Sequence, residues 1–112
     1  MELSLGELLD KQNLTIKPHV VNAIKVGGFA LSIQASSGHY CFPREDMNSY
    51  MDYTSFELML MKEDFRDFNF KKSSKFKKFP RYDELLERYD GSAIFGWVAV
   101  DLLEDLIDFL EK

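Results

Sequence analysis

The chain has 112 residues, 46% of them hydrophobic and 14% aromatic, with 14 Lys and Arg against 19 Asp and Glu for a net charge of −5. That length suits a single folded domain spanning 1–112, and that composition excludes a chain too polar to bury a core. The acidic balance argues against general nucleic-acid binding through a basic surface and leaves only a local patch to consider.

The amino-terminal stretch "MELSLGELLDKQ" is too polar for a signal peptide. "SLGELLDKQN" reads as a short amphipathic helix with Leu5, Leu8 and Leu9 on one side and an unfavourable Gly6 inside it. "KPHVVNAIKVGG" predicts a second helix, with Pro18 in its first turn and Gly27-Gly28 as its left-handed stop. His19 then falls in that first turn, facing solvent, with no partner at a metal-ligand spacing.

"FALSIQASSGHYCF" alternates with the period of a strand and predicts a hairpin turning at Ser37-Gly38. Phe29, Leu31, Ile33 and Ala35 share one face. In the register of a two-residue turn, Ala35 faces Tyr40 and Ile33 faces Phe42 on the apolar side, while Ser36 faces His39 and Gln34 faces Cys41 on the polar side. "PREDMNSYMD" is a polar loop, and "YTSFELMLMK" alternates again as the next antiparallel strand. Residues 63–79 have no period, and Phe65, Phe68 and Phe70 fit helix, strand or loop.

"FPRYDELLERYDG" predicts a helix between Pro80 and Asp90-Gly91, and "SAIFGWVAV" a short apolar strand. "DLLEDLIDFLEK" predicts a closing helix with Asp101 and Glu104 as a capping box and Leu103, Leu106, Ile107 and Leu110 as its buried stripe. The total is α+β: an antiparallel meander of three to five strands with helices packed on one face.

Chemistry-bearing residues are sparse. Cys41 is the single cysteine, so no disulfide forms within the chain and a reducing, cytoplasmic location is expected. No apolar run reaches the roughly 20 residues of a membrane span. His39 and Cys41 stand two apart on the expected strand, about 6–7 Å from each other, too far for a nucleophile–base pair. One cysteine and two histidines without ligand spacing predict no metal, and no phosphate loop, nucleophile elbow or carboxylate pair predicts a cofactor or an enzyme. The basic run "KKSSKFKK" places Lys71, Lys72, Lys75, Lys77 and Lys78 among phenylalanines, a pattern that can track phosphates but also suits a solvated loop. On the last helix Asp105, Asp108 and Glu111 form an acidic face able to dock on a basic partner.

Three pieces, "LSIQASSGHYCFPRED", "YTSFELML" and "IFGWVAVDLLEDLI", resemble a group of small uncharacterised proteins encoded by bacteriophages and prophages. The likeness covers about half the chain and implies a context, a mobile-element product in bacterial cytosol, without implying an activity. The residues themselves place Gln34 and His39 on a polar sheet face beside Glu57, with Arg44 and Asp46 in the following loop, as a partner-binding surface. The function expected is therefore inhibition of a bacterial host or defence protein that processes nucleic acid, or else neutralisation of a toxin as an immunity protein. A nucleic-acid-binding accessory protein using Lys71 to Lys78 is the alternative of another class.

Overall fold

The computed structural model describes residues 4–12, 21–91 and 93–112. Four antiparallel strands, β1 (Ile24–Val26), β2 (Phe29–Gln34), β3 (Ser55–Lys62) and β4 (Ile94–Ala99), form one sheet in the order β1-β2-β3-β4. With them come helices α1 (Leu5–Gln12), α2 (Ser74–Lys77), α3 (Tyr82–Glu87) and α4 (Val100–Glu111). This is the expected α+β meander.

The core lies on one face of the sheet. Leu31 and Ile33 of β2, Phe56, Leu58 and Leu60 of β3, and Phe95 and Val98 of β4 are buried there with Leu5 and Leu9 of α1 and Leu103, Leu106 and Leu110 of α4. Burying each such side chain contributes about 1.5–3 kcal/mol, and the period-2 pattern of β2 and β3 puts those of the two strands on one side.

Three expectations are corrected. The helix predicted over 17–28 is not formed in its described part, because Ile24–Val26 is a strand paired with β2 through Val26↔Phe29. Gly27 and Gly28 both adopt positive φ, 59° and 87°, so they close a two-residue hairpin rather than stop a helix. Gly27 is required for a second reason: a Cβ there would lie 2.4 Å from the Leu110 carbonyl oxygen at the end of α4. Pro18 and His19 lie outside the described residues.

The hairpin at Ser37-Gly38 is not formed either. β2 pairs with β3 from Phe29↔Lys62 to Gln34↔Glu57, and on the other edge β1 takes Phe29 to Leu31 while the Gln34 side chain bonds Val21, so the segment after Gln34 does not fold back on β2. β3 prevails because it sets Leu60 against Leu31 and Leu58 against Ile33 over the helices. The segment after Gln34 instead touches β3 further along, through a single bridge between Phe42 and Ser55.

The third correction concerns α4. Its N-cap is Ala99, with no side-chain cap bond. Glu104 reaches away from its own helix to accept the Leu5 N–H at 2.9 Å, satisfying a free donor of the first turn of α1. Gly6, unfavourable in a helix by propensity, is where the Met51 backbone presses against α1; a Cβ there would sit 2.6 Å from the Met51 Cα. Residues 63–79 are a turn, a 3-10 turn at Phe70–Lys72 and the single-turn α2, from which Phe70 and Phe76 reach the core one at a time. Side chains delivered singly from short turns leave no period to read.

Candidate functional site

The sheet face away from the helices is open. Ser32 and Gln34 of β2, Glu57 and Met59 of β3, and Ile94 of β4 are half-buried there and, with His39, line a hollow of about 190 Å³. Gln34 is committed to structure: its amide accepts the Val21 N–H at 3.0 Å and donates to the Val21 carbonyl at 2.7 Å, imitating one more rung of the β1–β2 ladder. His39 is held by the Ser36 hydroxyl at 2.6 Å on Nδ1, with its Nε2 3.9 Å from the Glu57 carboxylate. The Ser36 hydroxyl also accepts the Gly38 N–H and is buried, so it organises the turn. Serine, imidazole and carboxylate together fasten the 36–39 turn onto β3.

From that anchor the chain crosses to β4. The Tyr40 carbonyl accepts the Trp97 N–H at 2.9 Å, and the two rings stack with centroids 4.9 Å apart and planes 25° from parallel. The Arg44 guanidinium lies over the Tyr40 ring at 5.3 Å. Arg44, Tyr40 and Trp97 thus form a cation–aromatic–aromatic platform, with Tyr40 37%, Phe42 63% and Trp97 45% exposed.

A β-bulge builds this platform. Phe56 pairs with Val98 and Leu58 with Phe95, so Glu57 alone on β3 opposes both Gly96 and Trp97 on β4. The extra residue resets the alternation: Phe95 and Val98 both face the core, and Trp97 is turned out. Trp97 adopts φ 50°, a left-handed conformation that costs a non-glycine residue about 1–2 kcal/mol. Gly96 lies against Tyr40, where a Cβ would make ordinary contact with the Tyr40 Cβ at 3.4 Å.

The structure therefore corrects the facing of residues 40–42. Tyr40 and Phe42, expected inward, are exposed, and Cys41, expected on the polar face, is 1% exposed in the core. The Cys41 thiol has the Ser36 and Pro43 carbonyls within reach of its one proton, at 3.3 and 3.5 Å, and burial pushes its pKa above its ordinary value, away from the reactive thiolate. Of the expected surface, His39 and Glu57 do come together and Arg44 joins through Tyr40. Asp46 accepts the Ser37 N–H at 2.9 Å and so shapes the loop. Trp97 was missed. The signal for it was Gly96 inside an apolar strand, since a strand glycine commonly marks a bulge.

The charged runs are partly occupied with internal work. Arg81, just before α3, holds Glu84 at 2.7 Å, Asp101 at 3.0 Å and Asp105 at 2.8 Å, so Asp105 helps join α3 to α4. Glu111 is exposed and Asp108 half-buried. Lys71 and Lys75 lie over the rings of Tyr89 and Phe29, while Lys72, Lys77 and Lys78 project into solvent. Segment 62–78 holds seven of the 14 Lys and Arg and three of the 19 Asp and Glu, so it carries +4 and the rest of the chain −9.

Among the described residues no group of three or more His, Cys, Asp or Glu could hold a metal ion, and no helix is long and apolar enough to cross a membrane. No family model, no curated protein and no solved structure matches the chain.

Proposed function

We propose that this chain acts by protein–protein binding, with the Arg44–Tyr40–Trp97 platform at the centre of the contact. The observation that carries this reading is Trp97, turned into solvent on a left-handed backbone when an unbulged strand would have buried it. Trp, Tyr and Arg are the residues that dominate binding energy at protein interfaces, and a rigid, pre-stacked trio loses little entropy on docking. Phe42 extends the apolar area beside it, and His39 and Glu57 supply a polar border.

The concrete form of the proposal is a small phage or mobile-element protein of the bacterial cytoplasm that covers a surface on a nucleic-acid-processing host or defence protein. The −9 carried outside segment 62–78 supports a partner with a basic surface, and Asp108 and Glu111 on α4 would add to the field that steers the encounter. An immunity protein covering a toxin's active site would use the same platform.

The test is capture from bacterial lysate by the wild-type chain and by Trp97→Gly and Tyr40→Ala variants verified as folded. A stoichiometric partner retained by the wild type and lost by both variants supports the reading, and its identity separates host enzyme from toxin. Equal capture by all three sinks it. If nucleic acid rather than protein is retained at low salt, and is lost on replacing Lys72, Lys77 and Lys78, the accessory-protein alternative takes its place.

A further inference from the structure

Beside the platform is a cleft of about 370 Å³, at the small end of the roughly 300–1,000 Å³ of ligand pockets. We propose that it receives a positively charged side chain, an arginine or a lysine, from the bound partner. The inference rests on the protein-binding reading above and names the chemistry of what is bound.

Tyr40 and Trp97 line the cleft with Gly96 and the 87–90 segment, whose Tyr89 ring packs back against Phe95 with centroids 5.1 Å apart. The face of an aromatic ring carries partial negative charge and attracts cations, tryptophan most strongly. This protein already uses the effect at both neighbouring rings, with Arg44 over Tyr40 at 5.3 Å and Lys71 over Tyr89 at 5.5 Å. Among the described residues no cation lies over Trp97. Trp97, the best cation acceptor of the three, is stacked on Tyr40 on one face and remains exposed.

The rim supplies charge. Glu87 and Asp90, at and just beyond the end of α3, line the cleft, are exposed, and have no ion pair among the described residues. They sit on a fixed segment. The Asp90 N–H donates to the Ile94 carbonyl at 2.8 Å, the Gly96 N–H donates to the Arg88 carbonyl at 3.0 Å, and Tyr89 bridges to Phe95. Arg88 lies between the two acids and is also exposed, so two carboxylates stand against one guanidinium at the mouth. The exposed Trp97 ring, the carboxylates of Glu87 and Asp90 and an acidic body all favour the same sign of visitor.

Trp97 is the only tryptophan in the chain, so its intrinsic fluorescence reports on the cleft directly. The full chain is titrated with four probes: a short arginine-rich peptide, its lysine and glutamate counterparts, and a single-stranded oligonucleotide. The arginine peptide should give a saturable change that weakens with salt, the lysine peptide a weaker one, and the other two none. Glu87→Gln with Asp90→Asn should weaken the arginine peptide about tenfold, whereas Arg88→Ala should leave it unchanged or tighter. All three positions are on the surface, and circular dichroism verifies that the variants fold. A saturable response to the glutamate peptide or the oligonucleotide, no response to the arginine peptide, or weakening by Arg88→Ala overturns the proposal. The two readings fail separately. If Trp97→Gly loses the lysate partner while Glu87→Gln with Asp90→Asn keeps it, the platform docks a protein but the cleft takes no cation.

Discussion

Trp97 donates its backbone N–H to the Tyr40 carbonyl at 2.9 Å while their rings stack at 4.9 Å, so main chain and side chain clamp the 36–42 segment onto β4 together. The clamp depends on the bulge, which turns both groups of Trp97 toward Tyr40 at the cost of a φ of 50°.

Two substitutions at Trp97 separate the backbone cost from the side-chain gain. Trp97→Ala keeps the left-handed strain and loses a stack worth about 0.5–1.5 kcal/mol, so it should destabilise. Trp97→Gly relieves about 1–2 kcal/mol of strain, so its stability should lie within about 1 kcal/mol of wild type, after the added freedom of the unfolded chain. Urea denaturation checks the order. A glycine variant less stable than the alanine variant contradicts the idea that strain is stored there.

The two glycines of the β1–β2 turn should respond unequally. Gly28→Ala meets open space at φ 87° and should lose only the left-handed penalty of about 1–2 kcal/mol. Gly27→Ala adds a collision with the Leu110 carbonyl and should lose more, about 3 kcal/mol or above. Equal losses by denaturant titration would mean that α4 does not press on the turn.

The Arg81 cluster should be mildly stabilising and of no consequence for binding. Its carboxylates are largely solvated, so Arg81→Gln should cost less than about 1 kcal/mol, less still at high salt. The Arg81 guanidinium holds the Glu84 carboxyl below its ordinary 4.5. That contribution is present above pH 4.5 and fades as the pH falls toward the lowered value. Thermal melts at two salt concentrations check the first point. Asp105→Lys should keep partner capture, and loss of capture in a folded Asp105→Lys variant would move the interface to α4.

Alkaline pH should unfold the protein early. Burial raises Cys41 above 9.0 and both Tyr50 and Tyr53 above 10.0. A group whose folded value is raised contributes fully below its unfolded value and loses that contribution as the pH climbs through the folded one. The urea midpoint should therefore be level from neutral pH to about 9 and fall above it. In the same range Cys41 should react slowly with a thiol reagent in the native chain and fast once unfolded. A flat midpoint to pH 11 contradicts the burial of these groups.

Tyr50 is buried, and among the described residues its hydroxyl has no hydrogen-bond partner. Leaving such a group unsatisfied costs about 1–3 kcal/mol, so Tyr50→Phe should be neutral to stabilising by about 1 kcal/mol. A clear loss of stability would reveal a partner for that hydroxyl.

Local pattern carried most of the fold. The alternation of Leu31 and Ile33 and of Phe56, Leu58 and Leu60 specified two strands and their buried face, and the stripe from Leu103 to Leu110 specified the closing helix, because the side-chain period of each element is a property of its own backbone. The polar facing of Glu57 was legible for the same reason, whereas His39 reaches it through the 36–39 turn and not through the expected hairpin. Which strand pairs with which is not local: Ser37-Gly38 is an acceptable turn, but β3 offered β2 a longer apolar match, and competition between edges is settled only when the whole sheet assembles. That outcome exposed Tyr40 and Phe42 and buried Cys41. Trp97 shows the limit most sharply, since one surplus residue between two correctly paired neighbours reverses which side chain meets solvent. Sequence by itself determined β2, β3 and α4 and their apolar faces, through chemistry that acts over a few residues. Tertiary structure alone decided the exposed aromatic platform, because it is made where Tyr40 and Trp97, 57 residues apart in the chain, are brought into contact by the register of other strands.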